Sequence, residues 1–394
     1  MSWPLVKIGQ VADINPRLPK NTDETQEVTF LGMASVSEDG KLLSEEFRTL
    51  SETKKGFTYF SSKDVLLAKI TPCFENGKCL RPSQISREVG FGSTEFHVVR
   101  AQEGKLDANY LFYMLWSGHF RFNGKHAMSG AAGQKRVSAD FIRGYEIPLP
   151  PLAEQKRIAA ILDKADNLRR KRQQAIQLAD DFLRSVFLDM FGDPVTNPKG
   201  WEVKKLSNLC NKITDGTHHS PPIVESGVPY ITAKHLKKTG LEFFKNPWFI
   251  SEESHQQIFS RCSPEKYDVL YIKDGATTGI AAINEYDFEF SMLSSLALLK
   301  PDRSKMLPEF LCMFLNHPRS KLVITANMAG AAITRLTLSK IKDIEIPLPN
   351  LKEQKAFTDV YWKVRALLTT IEASTKYSSD NFSSLSQKAF AGEL

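Results

Sequence analysis

Three short patterns contain residue types that catalyse reactions or bind metals in other proteins. Glu154-x-Lys156, repeated as Glu353-x-Lys355, has the acid–base spacing of nucleases, and His218-His219 is an adjacent pair of metal-ligating residue types. Both glutamates fall where helices are predicted to begin, and acidic side chains stabilise that end of a helix. An isolated His pair, without HxxxH or HExxH spacing, is more typical of a polar loop than of a metal site. We therefore predict no catalytic residue and no metal site.

Two further patterns could indicate cofactor binding, and both are incomplete. The stretch from Gly118 to Lys125 lacks the spacing of a phosphate-binding P-loop, so no ATP site is predicted. Ser220-Pro221-Pro222-Ile223 has the outline of a tetrapeptide with which some methyltransferases hold a flipped base, but Ile223 replaces the aromatic ring that stacks on that base. We interpret it as a Pro-rich loop and expect no cofactor on this chain.

Composition limits the class of protein. The 394 residues include 52 Lys and Arg against 45 Asp and Glu, a net charge of +7 that suits a polyanionic partner without requiring one. The five cysteines form no CxxC, so neither disulfides nor a zinc knuckle is predicted. Because the chain has no signal-like apolar segment and no uninterrupted run of 18 apolar residues, we expect a cytoplasmic protein without a membrane partner.

The sequence contains an internal repeat. The segment Ile147-Pro148-Leu149-Pro150-Pro151-Leu152-Ala153-Glu154-Gln155-Lys156 returns 199 positions later, starting at Ile346, with eight of ten residues identical. Residues 128–132 also match residues 328–332, and Trp3 matches Trp201. A nearly constant offset over half of the chain indicates duplication of one unit of about 200 residues.

Each repeat begins with a domain of mixed structure. Short apolar runs, such as residues 65–68 and 269–272, alternate with Gly, Pro and Ser and predict strands joined by loops. The apolar runs 110–115 and 310–315 predict buried helices. We therefore predict the α+β class for these domains, which span residues 1–150 and 193–349.

Each repeat ends in a long helix, predicted for residues 151–192 and 350–394. Apolar residues alternate steps of four and three, which is the heptad pattern of a coiled coil. In the first helix the heptad positions, with a polar break at Arg169 and Arg172, are Ile158, Leu162, Ala165, Arg169, Arg172, Ile176, Ala179, Leu183, Val186 and Met190. Adding 199 gives a similar seam from Phe357 to Ala389, so the two helices are predicted to pack as an antiparallel pair about a pseudo-two-fold axis.

These features resemble a known family. Ile-Pro-Leu-Pro-x-Leu-x-Glu-Gln-Lys before a long heptad helix, present twice and each time after a distinct domain, is similar to the spacers of type I restriction–modification specificity subunits. Phe191-Gly192-Asp193-Pro194 and residues 389–394 resemble the ends of those spacer helices. Residues 69–78, 92–97 and 215–219 are similar to segments of the family's target-recognition domains.

The resemblance implies a non-catalytic subunit of a bacterial or archaeal complex. Each domain would read one half of a split, asymmetric site on double-stranded DNA, while the helices set the spacing and dock two methyltransferase subunits. Two restriction subunits would complete the complex. S-adenosylmethionine, ATP and magnesium are expected on those partners.

Sequence readout requires polar side chains on loops that can enter a groove. Candidate loops are residues 69–78, 93–97 and 130–136 in the first domain, and 215–220, 273–278 and 330–335 in the second. The candidate DNA-binding residues are Lys69, Thr71, Asn76, Lys78, Ser93, Thr94, Lys135, Arg136, Thr217, His218, His219, Lys273, Thr277, Thr278 and Arg335.

Two alternatives remain open. One is a scaffold protein whose helices bind two copies of a partner and whose α+β domains bind protein or RNA. The other is an orphan specificity subunit that has no restriction partner. Mobility shift of mixed DNA, with and without the methyltransferase subunit, separates the scaffold from the two DNA-binding alternatives.

Overall fold

The structure of the protein, a computed structural model, describes residues 3–131, 133–326 and 335–394. The chain divides into two compact units, one formed by Met1–Gln173 with Ala373–Leu394 and the other by Gln174–Glu372. Each unit combines several β-sheets with helices, which confirms the predicted α+β class. No helix in these described ranges is long and apolar enough to cross a membrane.

The first unit contains ten strands within its described residues. In chain order its elements are β1 (Leu5–Lys7), α1 (Ile8–Val11), β2 (Ala12–Ile14), β3 (Glu27–Leu31), β4 (Glu46–Thr49), α2 (Leu50–Thr53), β5 (Thr58–Ser61), β6 (Val65–Ala68), β7 (Cys79–Leu80), β8 (Val89–Gly92), β9 (Phe96–Ala101), α3 (Ala108–Trp116), α4 (Gly118–His126), α5 (Ala139–Gly144), β10 (Glu146–Pro148) and the long helix α6 (Leu152–Phe191), which continues into the second unit.

The second unit follows a similar order. Its elements are β11 (Glu202–Lys205), β12 (Cys210–Asp215), β13 (Val228–Ile231), β14 (Leu236–Lys237), β15 (Gly240–Leu241), β16 (Phe249–Ile250), α7 (Glu252–Phe259), β17 (Val269–Ile272), β18 (Ala281–Ile283), β19 (Ser291–Met292), β20 (Leu296–Pro301), α8 (Pro308–Asn316), α9 (Pro318–Ala326), α10 (Leu338–Lys342), β21 (Glu345–Leu348) and the long helix α11 (Leu351–Ala391), which continues into the first unit.

Sheet topology repeats between the units. An antiparallel sheet in the order β2-β9-β6-β7 corresponds to β12-β20-β17-β18 in the second unit. The parallel pair β3–β8 corresponds to the parallel pair β13–β19, and the antiparallel pair β1–β10 corresponds to β11–β21. The duplication predicted from short identical segments therefore extends to strand order and direction.

The long helices pack antiparallel within each unit, as predicted. In the first unit, Arg157 near the start of α6 donates to the backbone oxygen of Leu394 at 3.0 Å, and Arg172 donates to that of Ser374 at 2.6 Å. In the second unit, the ring of Phe191 near the end of α6 lies 5.4 Å from that of Phe357 near the start of α11. The seam residues Ile158, Leu162 and Leu183 are buried.

Burial along α6 extends beyond the predicted seam. Asp166, Phe187 and Phe191 lie outside the heptad positions and are nevertheless buried. The reason is that α6 packs on the domains as well as on α11. The rings of Phe187 and Phe191 lie 5.7 and 5.0 Å from that of Phe310 on α8.

A buried glutamine joins each domain to its helix. The Gln155 amide oxygen accepts from the backbone N–H of Asp107 at 2.8 Å, and its nitrogen donates to the carbonyls of Lys105 and Pro150. Gln354 makes the same three kinds of hydrogen bond, to Leu307, Lys305 and Pro349. The glutamine of the repeated Glu-Gln-Lys motif is therefore a structural residue in both repeats.

Replacing either glutamine with alanine is expected to destabilise the protein. Gln155→Ala leaves three backbone groups without their partner in a buried site, so we expect a loss of about 2–4 kcal/mol. Urea unfolding of the full chain measures this loss, with Gln354→Ala as the matched variant. Gln173→Ala, at an exposed position of the same helix, is the control and should change stability by less than about 0.5 kcal/mol. Equal stability of Gln155→Ala and the control would contradict this role.

Candidate nucleic-acid interface

In the first unit, the three predicted loops meet beyond the end of strand β6. The backbone N–H of Lys69 donates to the carbonyl of Glu95, and the N–H of Val137 donates to the carbonyl of Lys69, both at 2.9 Å. The N–H of Thr71 donates to the carbonyl of Lys135 at 2.9 Å. Backbone pairing therefore brings together segments that are up to 68 residues apart in sequence.

The loop after β6 is held by polar side chains. The Thr71 hydroxyl donates to Glu75 Oε1 at 2.8 Å, and the Asn76 amide donates to Glu38 Oε1 at 2.9 Å. Lys78 Nζ donates to the carbonyl of Met33 at 3.1 Å. These three candidate side chains thus have partners within the protein, and such bonds fix the loop that carries them.

Glycine is required at one position of this loop. Gly77 has φ of +86°, a left-handed conformation that favours glycine. A Cβ atom there would lie 2.9 Å from Nη1 of Arg121 and 3.3 Å from the carbonyl oxygen of Glu38. Arg121 lies on helix α4 and donates to the carbonyl of Glu75 at 3.1 Å, so this helix holds the loop in place.

The other two loops of the first unit share an ion pair. Arg136 Nη2 lies 2.8 Å from Glu95 Oε1. Hydrogen bonding from Arg136 holds the pKa of the Glu95 carboxyl below its ordinary value. Lys135 is exposed and makes no ion pair with the described residues. Thr94 is exposed, and the Ser93 hydroxyl accepts from the N–H of Glu95 at 3.2 Å. Lys135 and Thr94 are therefore the most accessible of these candidates.

The second unit repeats the backbone arrangement. The N–H of Lys273 donates to the carbonyl of Ser295 at 2.9 Å, and the N–H of Leu336 donates to the carbonyl of Lys273 at 2.8 Å. Lys273 therefore occupies the position that Lys69 has in the first unit.

The side chain of Lys273 is buried. It is 2% exposed, with Nζ 3.4 Å from Asp215 Oδ2 and 3.2 Å from Asp274 Oδ2. Asp215 also accepts from Arg261 Nη2 at 2.8 Å. In this conformation Lys273 neutralises carboxylates of its own domain and is not available to an external anion. Asp215 begins the predicted loop 215–220 but was not a candidate DNA-binding residue, and Arg261 lies in none of the predicted loops, because their contact joins positions that are 46 residues apart in sequence.

The loop after β12 presents two histidines. His218 and His219 are exposed, and His218 Nε2 lies 3.5 Å from Asp215 Oδ2. The Thr217 hydroxyl donates to the carbonyl of His219 at 2.9 Å and accepts from its N–H at 3.2 Å. Thr217 thus closes a tight turn that leaves both imidazoles in solvent. The following Ser220-Pro221-Pro222-Ile223 segment is non-helical, and Ile223 is 49% exposed.

The remaining candidates of the second unit differ in exposure. Thr277 is exposed, whereas Thr278 is 6% exposed and donates to the carbonyl of Gly275 at 2.7 Å. Most of the predicted loop 330–335 lies outside the described residues. Its last residue, Arg335, is exposed, with Nε 3.2 Å from Asp274 Oδ1.

The arrangement suits polar recognition. Exposed cations, hydroxyls, amides and imidazoles lie on loops at the end of a sheet, and these are the groups that bind phosphates and base edges. Within the ranges that the structure describes, no group of three or more His, Cys, Asp or Glu residues is placed to hold a metal ion.

Comparison with known proteins identifies the family. A family model described as the type I restriction modification DNA specificity domain matches residues 2–178 and again residues 198–377. The chain belongs to this specificity family. The two matches coincide with the two repeats, so each repeat of the specificity protein is one copy of the family domain.

Similar proteins include curated specificity subunits. The EcoEI specificity subunit of Escherichia coli is 40% identical over 164 residues, which are 41% of this chain and 27% of that protein. The putative MjaX specificity subunit of Methanocaldococcus jannaschii is 26% identical over 302 residues, 71% of this chain and 65% of that protein. The first of these alignments thus spans about a quarter of the relative's length.

A solved structure shares the fold over nearly the whole chain. The S subunit of a type I restriction–modification system from M. genitalium aligns with a TM-score of 0.62 and 15% sequence identity, covering 99% of this chain and 96% of that chain. The fold of the specificity protein, with two domains and two long helices, is therefore that of a solved S subunit.

Proposed function

We propose that the chain is the DNA-recognition subunit of a type I restriction–modification complex. Each domain reads one half of a bipartite, asymmetric site on double-stranded DNA, and the helices set the spacing between the halves. The observation that carries this proposal is the repeated loop cluster around Lys69 and Lys273, one in each copy of the specificity domain. Two readers joined in one chain, with different loop residues, fit a site with two unlike halves.

The partners follow from the same proposal. Two methyltransferase subunits dock on the helices and carry S-adenosylmethionine, and two restriction subunits carry ATP and magnesium. The chain itself contributes binding without chemistry, because its candidate loops present hydrogen-bonding groups and cations. In a host cell this complex would act in the cytoplasm of a bacterium or archaeon.

Methylation mapping tests the proposal. The chain is expressed with its methyltransferase subunit in a host without other modification enzymes, and the methylated adenines are mapped. One bipartite motif with a fixed gap is the expected result. A methyltransferase that modifies the same positions when the chain is left out would contradict the proposal, and so would a chain that gives no motif although the complex assembles.

Lys135 provides a test of phosphate contact. It is exposed and lies beside the meeting point of the three loops, so we expect Lys135→Ala to weaken binding to all sequences and to lower the slope of log K against log salt by about 0.9. The measurement is a salt titration of DNA binding by the complex. Lys63→Ala is the control, because exposed Lys63 precedes strand β6 and thus lies at its opposite end. An unchanged slope for Lys135→Ala would show that this loop faces away from DNA.

A further inference from the structure

The first domain meets helix α6 at a carboxylate that belongs to the helix. Asp163 of α6 pairs with the guanidinium of Arg81 and accepts a hydrogen bond from the Tyr113 hydroxyl at 2.6 Å. The Arg81 side chain is 14% exposed and lies 5.0 Å from the centre of the Phe112 ring. We call the contact of Arg81 and Tyr113 with Asp163 the first joint.

A second helix carboxylate lies one turn further along α6. Asp166 is fully buried and accepts from Arg169 at 2.8 Å and from Arg170 at 2.6 Å. Arg170 in turn donates to the backbone carbonyl of Asp39 in the first domain, and its Nη1 lies 3.6 Å from Asp39 Oδ2, a longer ion pair in which the domain supplies the anion. Ion pairs therefore also order the turn of α6 that follows the first joint.

The main contact of the second domain with helix α11 has the opposite polarity to the first joint. Glu309 of α8 is 5% exposed and accepts from the Trp362 indole N–H at 2.7 Å and from the Thr358 hydroxyl at 3.2 Å. Arg365 Nη2 of α11 lies 3.3 Å from Oε1 of Glu285. We call the contact of Glu285 and Glu309 with Thr358, Trp362 and Arg365 the second joint.

The two joints occupy equivalent places in the repeat. The 199-residue offset places Asp163 at the position of Trp362 and Asp166 at that of Arg365. The structure supports this offset, because Gln155 and Gln354 make matching hydrogen bonds. They lie eight residues before Asp163 and Trp362, respectively. In the domains, Arg81 of the first joint directly follows β7, and Glu285 of the second joint follows β18 after one residue. β7 and β18 are equivalent edge strands of their sheets.

We propose that the two joints, through their opposite polarity, make each domain pack stably only on its own helix. At the first joint the helix supplies the anion and the domain supplies the donors, whereas at the second joint the domain supplies the anions and the helix supplies the donors. This inference concerns which domain can occupy which position and does not depend on DNA binding.

Exchanging the domains would place like groups together. Arg81 would face the side of α11 that carries Arg365, and Glu309 would face Asp163 of α6. A partly buried charge that loses its partner or meets a like charge is strongly destabilising, while a surface pair contributes little. The joints thus penalise a wrong assembly more than they stabilise the correct one.

Charge reversal in the full chain tests the first joint. We expect Asp163→Arg to lower the thermal unfolding midpoint by about 5 °C or more, and the double variant Arg81→Asp with Asp163→Arg to recover at least half of that loss. Lys164→Glu is the matched control, because Lys164 is exposed on the same turn of α6. A double variant no more stable than Asp163→Arg alone would show that the two residues do not act as a pair and would overturn the proposal.

Transposition of the two domains tests whether each domain is specific for its own helix. In one full-length variant, residues 1–150 and 195–349 exchange places, and in a second variant the helix segments 163–170 and 362–369 are exchanged as well. We expect the first variant to unfold at a lower temperature than the parent protein and the second to recover at least half of the difference. A transposed chain as stable as the parent would overturn the proposal, and so would a loss that the helix exchange does not reduce.

Discussion

Replacing residues 1–145 with the first domain of another family member is expected to change one half of the recognised DNA site and to leave the other half unchanged. The physical reason is that the loop cluster around Lys69 lies entirely in the first unit, and the cluster around Lys273 lies entirely in the second. Each cluster is built on its own sheet. Methylation mapping of the hybrid with its methyltransferase subunit is the measurement.

The choice of donor domain provides the control. A donor with a basic residue in the place of Arg81 preserves the first joint with Asp163, so the hybrid should fold as well as the parent chain. The reciprocal hybrid, in which residues 195–344 are replaced, should alter only the other half-site. A hybrid that changes both halves at once would show that the two domains do not read DNA independently.

Lengthening both long helices is expected to widen the gap between the two half-sites. Four residues inserted after Gln173 in α6 and four after Glu372 in α11 fall where the two compact units divide, so the contacts within each unit are kept. Four helical residues add about 6 Å at 1.5 Å per residue, and B-DNA rises about 3.4 Å per base pair. The gap should therefore grow by one or two base pairs while both half-sites stay the same.

A second insertion length makes this test sharper. Seven residues at each position keep the heptad register and add about 10 Å, so the gap should grow by about three base pairs. For comparison, the same four residues are inserted after Gly104, an exposed turn with open space around it, where no change of gap is expected. If the protein stays active and the gap in its recognised DNA site is unchanged by both helix insertions, the helices only dock the partner subunits.

Much of the fold was predictable because it is encoded in local patterns. The apolar runs 65–68 and 269–272 form β6 and β17, and the runs 110–115 and 310–315 lie in the buried helices α3 and α8. Heptad spacing in both long helices, together with the duplication, likewise predicted the antiparallel packing of α6 and α11. These patterns depend on residues within a few turns or one strand, so a single sequence reveals them.

The candidate site was only partly accessible from sequence. Residue types identified polar loops, but exposure depends on partners that are distant in the chain. Lys273 has the same position as Lys69, yet its ammonium group is buried and pairs with Asp274 and with Asp215, which is 58 residues earlier in the chain. Arg136 is similarly paired with Glu95. Strand register decides such pairings, and no spacing rule in the sequence gives that register. Which loop residues contact DNA stays a prediction.

The division of the chain into units has a consequence for biosynthesis. The second unit is continuous, from Gln174 to Glu372, whereas the first unit is completed by Ala373–Leu394. The hydrogen bond from Arg157 to Leu394 joins residues that are 237 positions apart in the sequence. Contacts of such long range form late, since a ribosome makes the chain from its amino end. The unit whose synthesis begins first is therefore the last to have all of its residues, because Ala373–Leu394 are made only after the whole second unit.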